Sequence, residues 1–154
     1  ATSISAGPSD ESSQTLTFAV SNDNSSLFSS QPAISSSGEL TFTPTGDANG
    51  LATVTVSISD NGLTANGGDD TSPDQTFTIT VTAVNDEPSF TKGLDITVNE
   101  DSGTSTTATW ATSISAGPSN ESSQILTFNV SNDNASLFSS APSVNSSGTF
   151  TFIV

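Results

Sequence analysis

The chain has 154 residues, with 16 Asp plus Glu against one Lys plus Arg, no His and no Cys, for a formal net charge of -15. That inventory leaves no Ser-His or Cys-His nucleophile pair and no imidazole or thiolate metal site. It leaves no basic patch for phosphates either, which excludes nucleic acid and anionic membrane surfaces as partners.

Hydrophobic residues make up 31% of the chain. That is low, but their arrangement is regular, which argues against a disordered chain. Leu16, Phe18 and Val20 alternate with Thr and Ala, the period-2 pattern of a half-buried strand. Asn22-Asp23-Asn24 reads as a turn. Leu40 and Phe42 alternate next and stop at Pro44. Val54, Val56 and Ile58 then alternate with Thr and Ser, and Phe77, Ile79 and Val81 alternate with Thr along Gln75–Val84. Further strands are expected at Leu94, Ile96 and Val98, around Trp110 and Ile114, at Leu126, Phe128 and Val130, and at Phe150 and Phe152. Asn49-Gly50, Asn61-Gly62 and Asn66-Gly67 supply turns that accept positive φ. Gly7-Pro8 and Gly117-Pro118 break the chain after short strands.

No segment shows an apolar stripe of helical period. No apolar run approaches the roughly 20 residues of a membrane-spanning helix. A charged stretch followed by an apolar one does not open the sequence, so no signal peptide is expected at this start. Short strands with frequent turn signals point to an all-β sandwich.

Residues 1–44 and 111–154 align without a gap at a period of 110 residues, and 32 of the 44 positions are identical. That period suits a whole small β-domain rather than one coil of a solenoid. The chain therefore reads as about 1.4 repeats of a tandem array. The boundary falls at Asn85-Asp86-Glu87-Pro88, where Pro88 has no N–H to donate and restrains Glu87 to an extended conformation. One domain is expected over 1–85, lacking its first strand, then a junction at 86–88. A second domain over 89–154 is expected to be truncated at its C-terminal side. The alternative is a circular permutation, with strands from 90–98 and 107–115 folding back onto the first domain. The stiff Pro88 joint favours the tandem order.

Residues 82–90 (TAVNDEPSF) resemble the junction of bacterial cadherin-like and Ig-like tandem repeats, and residues 98–103 (VNEDSG) resemble a second signature of that family. The strings WATSISAGP, GELTFTP and GLATVTVSISDNG resemble its remaining signatures, so the resemblance spans essentially the whole chain. It implies tandem Ig-like or cadherin-like Greek-key β-sandwiches. It also implies a non-catalytic spacer of a large extracellular or cell-surface protein that extends a distal domain in cell adhesion. Its partners would be neighbouring repeats of the same chain and other cell-surface proteins or glycans. The resemblance further implies Ca2+ between domains. Carried over by position, the ligands would be Asn85, Asp86, Glu100, Asp101, Asp60, Asn120 and Glu121. The family's Asp-x-Asp pattern is replaced here by SDES at 9–12 and SNES at 119–122.

Each of these features has a plainer reading beside it. The acids also suit a solvated surface that keeps the chain soluble. Asp69, Asp70 and Asp74 read as an acidic surface loop. Trp110 has the chemistry to stack on a sugar, but one Trp per sandwich more often anchors the core. The Thr-x-Thr runs suit a solvated sheet face. A binding module that recognises glycan or protein through its loops is the alternative function. With this inventory an enzyme would have to be a two-carboxylate glycosidase, and no motif pairs two carboxyls.

Overall fold

The computed structural model describes residues 3–154 and shows an all-β chain of antiparallel strands. Helix is confined to three-residue 3-10 turns. The chain divides into two compact units, the first ending at Val84 and the second covering Asn85–Val154. Among the described residues no helix is long and apolar enough to cross a membrane.

The first unit holds β1 (Thr17–Asn22), β2 (Phe28–Ile34), β3 (Leu40–Pro44), β4 (Gly50–Ser59) and β5 (Gln75–Val81). β1 and β5 flank β4. Phe18 lies opposite Ile58, Val20 opposite Val56, Val54 opposite Phe77, and Ala52 opposite Ile79. Because side chains alternate between faces, this register gathers Phe18, Val20, Ala52, Val54, Val56, Ile58, Phe77 and Ile79 on one side and leaves Ala19 and Leu51 on the other. The β2–β3 hairpin brings Leu27 and Phe28 onto that side. Leu27, Phe28, Ala52, Val54 and Ile79 form the buried core, with Val20, Val56 and Phe77 packed around it. Burying Leu27 or Val54 contributes about 1.5–3 kcal/mol each.

Two details fix this unit. The Asp23 carboxylate accepts a hydrogen bond from the backbone N–H of Thr53 at 2.7 Å, which ties the Asn22–Asn24 turn to β4. Strand β2 carries Pro32 and no clean alternation, so periodicity does not reveal it. Proline is tolerated there because β2 pairs through one edge, to β3. Strand β3 also pairs on one side among the described residues, and Leu40 and Phe42 remain 37% and 38% exposed.

The second unit holds β6 (Ser89–Thr91), β7 (Thr104–Thr107), β8 (Thr112–Ser115), β9 (Ser140–Val144) and β10 (Phe150–Ile153). β10 sits between β7 and β9, and β6 pairs with β8. β9 and β10 repeat β2 and β3 in sequence, while β7 adds a strand on the edge that β3 leaves open. The packing is largely aromatic. Phe138, Phe150 and Phe152 form a chain of ring contacts, Trp110 lies 5.0 Å from Phe150 between centroids, and Phe90 lies 5.1 Å from Phe128.

Two expected strands do not form. Leu126, Phe128 and Val130 repeat the alternation of β1, yet residues 125–132 have no strand pairing. β1 exists because β4 accepts its ladder of hydrogen bonds, and residues 85–154 contain no counterpart of β4 or β5. Leu94, Ile96 and Val98 do not form a strand either. The carbonyl of Leu94 accepts the Trp110 indole N–H at 2.9 Å instead, and the Leu94 side chain is 88% exposed. Within the second unit β6 pairs with β8 and β7 with β10.

Candidate functional site

The most unusual side chain of the molecule is Glu121, a carboxylate only 3% exposed. Its placement begins with Gly117-Pro118. Gly117 has φ +141, a conformation that side chains disfavour, and Pro118 starts the 3-10 turn Ser119–Glu121. The N–H of Glu121 closes the turn on the Pro118 carbonyl at 2.9 Å. The Ser115 hydroxyl braces it, accepting from the Gly117 N–H at 3.2 Å and donating to the Gly117 carbonyl at 3.0 Å. Glu121 then folds back over Gly117, where a Cβ would collide with Oε2 and would also lie 3.4 Å from the Asp86 Cβ.

This geometry captures the start of the second unit. The backbone N–H of Asp86 donates to Glu121 Oε1 at 2.7 Å, the short distance of a charge-assisted bond. Beside it the Gln124 amide donates to Asn85 Oδ1 at 2.9 Å, and Asn85 Nδ2 donates to the Asp86 carbonyl at 2.9 Å. Glu121 at the end of the 3-10 turn and Gln124 just after it therefore fix the path of Asn85-Asp86. Among the described residues Glu121 Oε2 has no hydrogen-bond partner. A buried carboxylate oxygen without a partner is costly, and a hard cation is one group that would satisfy it.

The first copy repeats the device. Gly7 has φ +136, Ser9–Glu11 forms the same 3-10 turn, and Ser5 makes the same two bonds to Gly7. Glu11 folds over Gly7 in the same way but stays half-buried. Gln14, the counterpart of Gln124, meets a different partner. With its nitrogen turned toward Asp60 it donates to both carboxylate oxygens at 3.2 Å.

Of the seven residues carried over from the resemblance, Asn85, Asp86 and Glu121 come together in the second unit. Asn120 shares the turn but is exposed. Glu100 and Asp101 are exposed in a turn of their own, where Asp101 has φ +60, and among the described residues no hydrogen bond joins them to Glu121. Asp60 belongs to the first unit, where its Oδ1 accepts the Gly62 N–H at 2.7 Å. Gln124 was missed at the sequence level. The signal for it was its retention in both copies. Among the described residues no three acidic side chains gather into a metal cluster. Any cation at Glu121 would therefore draw on Asn85, Asp86 and backbone carbonyls for its remaining oxygens.

Trp110 is half-buried. Its ring packs on Phe150, its N–H is taken by Leu94, and it lies so close to Gly93 that a Cβ there would stand 2.6 Å from the indole. The Asp69–Asp70 loop folds on itself through Thr71. Compared with protein-family models, with curated proteins and with solved structures, the chain matches none of them.

Proposed function

We propose that the chain is a non-catalytic spacer of a large bacterial extracellular protein, built from tandem Ig-like or cadherin-like Greek-key β-sandwich repeats. Its role is to extend a distal domain in cell adhesion, and Ca2+ stiffens the linker. The observation that carries this reading is Glu121, which seizes the linker N–H with one oxygen and leaves the other buried and unpartnered. Glu121, Asp86 and Asn85 would hold the ion. Bound there, Ca2+ would neutralise the two carboxylates and lock the Asn85-Asp86 path. The 110-residue repeat supports a spacer, because stacked folded modules lengthen linearly while a flexible chain grows only as the square root of its length.

Thermal unfolding with calcium, with magnesium and with a chelator tests the reading. Calcium at about 100 times its dissociation constant stabilises the folded state by about 2.7 kcal/mol. An upward shift specific to calcium is expected in the native chain and absent in Glu121→Gln. No shift in the native chain would remove calcium and leave a spacer with a solvated acidic surface.

A further inference from the structure

Asn49-Gly50 and Asn61-Gly62 both read Asn-Gly-Leu in sequence, and the fold gives them different surroundings. An asparagine followed by glycine carries its own nucleophile. The glycine nitrogen can attack the side-chain amide of the asparagine, because no Cβ shields it. Two things slow that attack. The nitrogen must shed its proton, and the amide oxygen must carry negative charge as the tetrahedral centre forms. A base at the first atom and a hydrogen-bond donor at the second lower the barrier.

Asn61-Gly62 has both. The Gly62 N–H donates to Asp60 Oδ1 at 2.7 Å, and the backbone N–H of Thr15 donates to Asn61 Oδ1 at 2.8 Å. Thr15 lies 46 residues away in the chain, so the donor is supplied by the fold and not by the local sequence. The Gln14 amide, with its nitrogen turned toward Asp60, holds both oxygens of that carboxylate at 3.2 Å. Only glycine fits at 62, since a Cβ there would stand 2.6 Å from the Gln14 amide nitrogen and 2.9 Å from Asp60 Oδ1. Asn61 is exposed, so water reaches it. The matched pair is placed otherwise. Gly50 opens β4 and lies opposite Val81 in the ladder with β5. The third such pair, Asn66-Gly67, is wound into the 3-10 turn Ala65–Gly67.

We propose that Asn61 is a self-modification site, which closes to a succinimide and opens to aspartate and isoaspartate. Asp60 takes the proton of the Gly62 nitrogen as that nitrogen bonds to Asn61 Cγ, and the Thr15 N–H stabilises the oxyanion. The Cγ–Nδ2 bond then breaks, and Nδ2 leaves as ammonia with the proton that Asp60 returns. One water opens the ring at either carbonyl. The net change is loss of ammonia and gain of water, with no oxidant or reductant. Opening at the side-chain carbonyl leaves aspartate. Opening at the main-chain carbonyl leaves isoaspartate, which runs the main chain through Cβ and lengthens it by one carbon. That carbon enters where Asn61 ties the approach to β1 to the end of β4. Either product adds one negative charge to a chain already at -15.

The test incubates the full chain at neutral pH in heavy-oxygen water and follows each Asn-Gly pair by peptide mass spectrometry. In the folded chain Asn61 is expected to convert about tenfold or more faster than Asn49, the scale of a positioned base at a site open to water. Its product should be a mixture of aspartate and isoaspartate carrying one heavy oxygen. In urea the two Asn-Gly-Leu pairs should converge, because the Thr15 donor is then lost. Asp60→Asn should slow Asn61 by about tenfold and leave Asn49 unchanged. That variant also alters the partner of Gln14, so the urea comparison on the native chain is read independently of it. Equal rates at Asn61 and Asn49 in the folded chain, or a slower rate at Asn61 folded than unfolded, would overturn the assignment and make the two hydrogen bonds protective. Aspartate without isoaspartate would overturn the succinimide.

Discussion

Glu11 and Glu121 stand at the same place in two copies of one turn, and their different burial shows how little of a residue's role lies in its own neighbourhood. Both fold over a glycine with φ near +140, both follow a proline, and both sit beside a Ser-braced loop. Glu121 also accepts the backbone N–H of Asp86, 35 residues earlier in the chain. Replacing Glu121 by Ala strands the Asp86 N–H and is expected to cost about 1–3 kcal/mol. Hydrogen exchange at the Asp86 amide should accelerate in that variant. Unchanged protection would show that the bond does not hold the linker. Glu11→Ala, at a carboxylate that water still reaches, should cost less. The resemblance to cadherin-like repeats named Asn85, Asp86 and Glu121 as candidates, and geometry joins them. Glu100 and Asp101 looked just as suitable in sequence, because composition places acids in loops without saying where the loops go. Gln14 and Gln124 make the same point, one donating to Asp60 and the other to Asn85.

At the scale of elements, alternation revealed β1, β3, β4, β5 and β10 but could not say which alternating segments would find partners. Leu16-Phe18-Val20 and Leu126-Phe128-Val130 are equivalent patterns, yet only the first is a strand, since β4 pairs with it. A hydrophobic period reports a face in need of cover, and the ladder needs a second strand as well. Strands β2 and β9 escaped notice for the opposite reason. Their Pro32 and Pro142 break the pattern that pairing to a single neighbour tolerates. The same contrast predicts unequal mutants of one residue type. Leu27→Ala opens a cavity beside Val54 and should cost about 2–5 kcal/mol. Leu137→Ala, at a position more than half exposed, should change stability by about 0.5 kcal/mol or less. Urea unfolding followed by far-ultraviolet circular dichroism measures both. Equal costs would mean that Leu137 is covered in solution.

For the whole molecule, what packing leaves unbalanced is charge. A net charge of -15 with one basic residue leaves repulsion without internal compensation. Monovalent salt screens that repulsion over a Debye length of about 10 Å at 0.1 M. The melting temperature should therefore rise with sodium chloride even where no specific site is filled. A flat response would place the carboxylates too far apart to interact. This general effect is the baseline against which the calcium shift must be read, with magnesium as the divalent control.

Trp110 has one more consequence, for optical measurements. It is the chain's single tryptophan, there is no tyrosine, and its indole is held by Phe150 and the Leu94 carbonyl within the second unit. Emission excited at the red edge of aromatic absorption therefore comes from residues 85–154 alone, and the first unit is dark. A melting curve followed by that emission describes one half of the molecule, whereas a backbone signal averages both. If the halves unfold independently and differ in stability, the two curves will part company, whereas coincident curves would mean that the halves unfold together or are equally stable.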